Sequence, residues 1–275
     1  MYLCGPMRRS LLIAILWAPL ALAGQHSQDL TISWGGMGLR GDVGPTWGTP
    51  TQGPAWSLGY RYQGHPHYAL RLLGERAEFT TSDVQSGRAD REARGITVRT
   101  QTQSLWALGE VTFLPLRLPS FRVQHSPYLF GGIGVTQYQP QGQYQGAWMD
   151  LRPLGTEGQG LDGSGTTLYG TRAVSIPLGL GWRAHLGPWL SAQAEAQWTW
   201  IQSDYVDDVS GNYADVAALR EARGDAAAYF ADPTGRGTAG YSRGQSDQND
   251  GLIRVNVGLG LHLEKFWETC AAFLN

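Results

Sequence analysis

Cysteine, lysine and charge are scarce in this 275-residue chain, and its apolar runs are short. The only cysteines are Cys4 and Cys270, and the only lysine is Lys265. If the first 23 residues are a leader that is removed, Cys270 remains alone and no intramolecular disulfide can form. Charged residues make up 16% of the chain, against about 25% in an average soluble domain. The net charge is −2, so no basic surplus points to nucleic acid. Removing Arg8 and Arg9 with the leader would take it to −4. The longest apolar stretch, residues 11–22, is about a dozen residues, whereas a membrane-crossing helix needs about 20. A helical membrane bundle is therefore excluded.

What is abundant is glycine and aromatic side chains. Gly numbers 38, Trp 11 and Tyr 12, and this glycine share is roughly twice the usual ~7%. So many aromatics with so little charge also exclude a disordered chain. The start of the chain reads as a secretory signal. Arg8 and Arg9 precede the apolar run, and Ala21-Leu22-Ala23 fits a small-x-small cleavage site.

Beyond residue 23 the recurring pattern is alternation with period two, which marks a strand with unlike faces. Eight segments carry it. In 252–264, Ile253, Val255, Val257, Leu259, Leu261 and Leu263 alternate with Arg254, Asn256, Gly258, Gly260, His262 and Glu264. Segments 190–199 and 173–186 are nearly as regular. Weaker ones lie at 30–39, 56–62, 70–72, 104–113 and 128–137, and Leu73 breaks the third of these. Short to moderate connections at 63–67, 115–126 and 187–189 alternate with long polar ones at 41–53, 80–99, 140–170 and 203–250. Short turns at one end and long loops at the other is the pattern of an outer-membrane barrel. The expected fold is thus an all-β, eight-stranded antiparallel barrel over 24–266, with a periplasmic tail at 267–275. A soluble barrel would turn its apolar face inward. Trp34, Trp56, Tyr60, Tyr62, Trp182, Trp189, Trp198 and Trp200, placed mainly near strand ends, favour a girdled membrane barrel instead.

The polar face would then line the lumen. It offers Arg61, Arg71, Arg183 and Arg254 against Glu75, Glu110, Glu195 and Glu264. Buried charges need partners, and eight strands leave just enough room for side chains. A plugged lumen follows. In the last long connection, 216–230 is rich in helix formers with Gly224 at its middle, which predicts one or two short helices. Residues 232–250 read as a flexible return.

Three constellations invite chemistry. Asp204, Asp207, Asp208 and Asp215 could gather around Ca²⁺, but their spacing fits no EF-hand loop; a hydrogen-bonded loop anchor is the plainer reading. His65 and His67 flank Pro66 in a turn and lack further ligands. His125 and Ser126 are adjacent, so on a strand they face opposite sides, which does not suit the Ser-His-acid site of a lipid A-modifying enzyme. The expectation is a non-enzyme, with no catalytic, cofactor or metal residues and no cofactor.

The strings SDYVDDVSGNYAD (203–215), AALREARGDAAAYFAD (217–232) and RGQSDQND (243–250) resemble an outer-membrane barrel family of unknown function. That family includes the PorG-like component of the type IX protein secretion system. GGMG (35–38), SPYLFGGIGV (126–135) and the strand-turn-strand at 176–200 extend the resemblance over nearly all of the chain after the leader. It implies a Gram-negative outer-membrane location and a structural or anchoring role in secretion. The implied partners are outer-membrane lipid, lipopolysaccharide, and a periplasmic ring built from a lipoprotein and its partner. Contact with such a ring would come from 63–67, 117–124, 187–189 and 267–275. The alternative is a surface adhesion barrel acting through loops 140–170 and 203–250.

Overall fold

The computed structural model describes residues 27–46, 48–115, 124–162 and 164–264. The leader at 1–23, the tail at 267–275, and most of the turn at 117–124 lie outside them. Among the described residues nine strands run in chain order: β1 (Ser27–Arg40), β2 (Gly53–His65), β3 (Tyr68–Ser82), β4 (Thr97–Thr112), β5 (Gln124–Tyr144), β6 (Ala147–Asp150), β7 (Arg172–His185), β8 (Leu190–Ile201) and β9 (Gly251–His262). Two helices, α1 (Ala89–Arg94) and α2 (Val216–Ala231), lie in connections between strands.

Eight strands close into an antiparallel barrel. Each pairs with its chain neighbour, β5 passes over the short β6 to pair with β7, and β1 pairs with β9 to complete the ring. Closure leaves none of these eight wall strands as a sheet edge, which is what a sheet surrounded by hydrocarbon requires. All eight alternating segments are wall strands. The short turns lie at one end together with the start of β1 and the end of β9, and the long loops lie at the other.

The wall is apolar outside and polar inside. Ile32 is 60% exposed, Leu70 68% and Val257 60%, while Arg61, Arg71, Arg183 and Arg254 are each 1% exposed. This parity excludes the soluble barrel, whose apolar residues would face inward. Among the tryptophans expected in the girdle, Trp34, Trp56, Trp182 and Trp200 are exposed on the wall, and Trp189 is exposed in the turn between β7 and β8. Trp34 and Trp56 stand side by side across β1 and β2.

The structure corrects two expectations. The strands reach further into the long loops than alternation shows. β3 runs to Ser82 and β4 starts at Thr97, and β5 continues to Tyr144 to form a hairpin with β6. Its two-residue turn, Gln145 and Gly146, has positive φ at both positions, the geometry that matches strand twist. Glu264 does not line the lumen: β9 ends at His262, alternation stops there, and Glu264 is exposed. In the return at 232–250 most residues are exposed, and Arg243 and Asp250 are its buried anchors.

Candidate functional site in the lumen and outer cap

Three zones fill the barrel from the short-turn end outward. The first is a chain of buried charges. Asp29, one residue before the predicted start of β1, faces inward and takes the place expected of Glu264. His262 Nδ1 lies 2.6 Å from Asp29 Oδ1, and Arg61 Nη1 donates to Asp29 Oδ2 at 2.8 Å. Glu110 accepts from Arg61 at 2.7 Å and from Arg183 at 3.2 Å, and forms an ion pair with Arg71 at 3.1 Å. Arg71 also reaches Glu195 at 2.5 Å, Arg254 reaches Glu195 at 3.0 Å, and Arg254 pairs with Glu75. Four arginines thus meet four carboxylates in one connected network. Tyr128 donates to Glu195 at 2.6 Å, and its ring lies 4.4 Å below the Arg183 guanidinium.

Beside these charges lies an apolar cluster of Leu73, Trp106, Leu108, Tyr128 and Phe130. Leu73, which breaks the sequence alternation, belongs to it. The glycines of β7 make room opposite: a Cβ on Gly181 would lie 2.3 Å from the Tyr128 ring, and one on Gly179 2.3 Å from Phe130. Closer to the long loops, Met37, Leu39, Phe79, Tyr138, Ile201, Val206 and Leu252 form a second apolar layer across the outer mouth.

The third zone is a cap folded from the long loops. Asp83 accepts the backbone N–H of Gly44 and Ile96 and two bonds from Arg94. Arg94 also donates to the carbonyls of Asp42 and Arg243. Arg243 in turn binds Glu157 at 3.2 Å and the carbonyls of Asp208 and Phe230. The two arginines bring four separate connections together. Val43, Ile96, Val98, Leu151, Val209 and Phe230 pack around them.

The aspartates of 204–215 do not gather as one ligand set. Asp207 accepts from the N–H groups of Val43 and Val209. Asp208 accepts from Thr156 at 2.6 Å and Tyr169 at 2.5 Å, in a left-handed backbone conformation. Asp215 caps α2 through the N–H groups of Ala217 and Ala218, worth about 1 kcal/mol. Burial pushes the carboxyls of Asp204, Asp207 and Asp208 up to about 8, 7 and 6. Among the described residues no three His, Cys, Asp or Glu groups converge as a metal centre. Asp207, Asp208 and Asp215 act as loop anchors. Helix α2 is broken at Gly224, with φ 85° and ψ 179°, so of the one or two short helices expected the structure has two.

His125 is exposed and stacked on Trp182, whereas Ser126 is buried and receives the Leu114 N–H. The two lie on opposite faces, as their adjacency predicts. His65 is exposed, and His67 Nδ1 lies 2.8 Å from the Thr112 carbonyl.

The cap also holds an open polar cleft of about 320 Å³, lined by Arg88, Arg91, Arg94, Arg243, Asp42 and Asp90 among others. Sequence reading missed it because its lining comes from three connections far apart in the chain.

Residues 8–148 match the family model described as "Domain of unknown function (DUF6089)". No curated protein matches the chain. Among solved structures, Neisserial surface protein A shares 8% identity at a TM-score of 0.44, covering 87% of this chain and 99% of its own. Ail, the attachment invasion locus protein of Yersinia pestis, shares 10% at 0.38, covering 86% and 99%. OprG from Pseudomonas aeruginosa shares 9% at 0.38, covering 86% and 97%.

Proposed function

The chain belongs to the DUF6089 family, and from that premise we propose that it is a non-enzymatic barrel of the Gram-negative outer membrane that serves as a structural anchor of a protein secretion machine. The machine would be of the type IX kind implied by the resemblance of the 203–250 region. One observation carries the reading: the lumen is filled. A barrel whose interior is occupied by paired charges and aromatic rings, under a packed cap, works through its surfaces rather than as a conduit. Its apolar wall suits lipid and lipopolysaccharide as surroundings. Its short-turn end, where β1 begins and β9 ends, is the surface for a periplasmic ring lipoprotein and its partner.

Deleting the gene and comparing proteins released into the medium, with plasmid complementation, tests the role. Loss of released cargo with periplasmic precursors is expected. Unchanged release would remove the secretion role and turn attention to the outer loops as an adhesion surface. A chain lacking 267–275 tests the docking end: undiminished co-purification of the ring would show that the tail takes no part.

A further inference from the structure

We propose that the arginine-lined cleft of the outer cap is a binding site for a phosphate-bearing saccharide. The inference is independent of the secretion role, since it needs only that the cap face the outer medium. Four guanidinium groups, from Arg88, Arg91, Arg94 and Arg243, line the cleft against two carboxylates, Asp42 and Asp90. Arg94 and Arg243 are its fixed part. Both are buried, Arg94 bound to Asp83 and Arg243 to Glu157, and both are held by backbone carbonyls. Arg243 Nε is buried with no hydrogen-bond partner.

The other two arginines are available to a ligand. Arg91 Nη1 is spent on the carbonyls of Gly41 and Gly44, but Nη2 has its nearest carboxylate, Asp42 Oδ1, 3.9 Å away. That is too far for a hydrogen bond. Asp42 accepts the Gln245 N–H through its other oxygen, Oδ2, at 2.5 Å. Burial, and then the nearby Arg94, lower the Arg91 pKa. Arg88 holds Asp90 in an exposed fork at 3.1 and 2.7 Å, an arrangement worth little in water and readily exchanged for a ligand. Guanidinium forks match phosphate oxygens two at a time. A volume of about 320 Å³ equals roughly ten waters at about 30 Å³ each, more than a bare phosphate occupies. The Tyr213 ring and the Ser242 and Gln245 groups in the lining suit the attached sugar.

The phosphate could be lipid-linked or free, and the experiment separates the two. The full chain in detergent micelles is titrated with glucose 1-phosphate. In parallel, the chain is reconstituted in phosphatidylcholine nanodiscs doped with diphosphoryl lipid A, and the lipid A it retains through detergent exchange is read by native mass spectrometry. The Arg88→Gln/Arg91→Gln variant leaves the structural Arg94 and Arg243 in place. Unchanged circular dichroism and melting establish that it folds. Arg220→Gln, which removes an exposed arginine outside the cleft, is the control. The double variant is expected to bind about tenfold more weakly, equivalent to about 1.4 kcal/mol, and wild-type binding to weaken as salt is raised. Loss in the sugar-phosphate arm identifies a free ligand. Loss in the lipid A arm alone identifies a lipid-linked one. Binding in neither arm, or equal binding by wild type and double variant, overturns the proposal.

Discussion

Replacing Glu110 by Gln would test the lumen network where it is most concentrated. Three arginines converge on this carboxylate. Arg61 keeps Asp29 and Arg71 keeps Glu195 when Glu110 is lost. Among the described residues Arg183 then keeps a 3.3 Å bond to the neutral Gln193 and its place over the Tyr128 ring. The variant therefore leaves one buried cation without a carboxylate. Breaking a buried pair in this way costs about 3–5 kcal/mol, a large part of a total stability of about 5–15 kcal/mol. Arg183→Met is expected to cost less, about 1.5–3 kcal/mol, the worth of a bond to a charged group, because Glu110 retains two arginines. The double variant Glu110→Gln/Arg183→Met restores neutrality and should lie close to Arg183→Met alone. Reversible urea unfolding in detergent micelles, read as a double-mutant cycle, gives all three values. Simple additivity of the two single costs, or a Glu110→Gln loss below about 1 kcal/mol, would refute the account of a coupled network.

Three further outcomes follow from the same structure. Ile32→Arg, on the outer wall, should destabilise the lipid-reconstituted barrel by about 2–4 kcal/mol if it lies near the midplane; a neutral effect in vesicles would argue against a membrane-facing wall. Arg243→Ala should loosen the cap while sparing the barrel, since it unpairs Glu157 and frees two carbonyls; limited proteolysis should then cut within 202–250, and an unchanged digestion pattern would count against Arg243 as the tie. Planar-bilayer recording of the purified chain should give no large stable conductance steps, and their appearance would contradict a filled lumen.

The division between sequence and structure is visible in particular residues. Arg61, Arg71, Arg183 and Arg254 could be placed inside the barrel from alternation alone, because side-chain parity along a strand is a local property with period two. The same rule failed at Glu264, where the strand ends, and overlooked Asp29, just before the segment in which the pattern became regular. Leu73 looked like an error of alternation until Trp106, Leu108, Tyr128 and Phe130 were seen gathered against it. The aspartates of 204–215 look like one cluster in the chain, yet the fold sends Asp207 to Val43, Asp208 to Thr156 and Tyr169, and Asp215 to the start of α2.

The sequence by itself determined the number of wall strands, the apolar-out parity, the ends that carry short and long connections, and the near-balance of inward charge. All of these follow from local periodicity and from counting. Only the tertiary structure decided which carboxylate meets which arginine, since that depends on the stagger between strands once the barrel closes. It alone decided that the long loops fold into one cap. Arg94 meets Arg243 across 149 positions of chain, and the arginine cleft exists only where those distant segments meet.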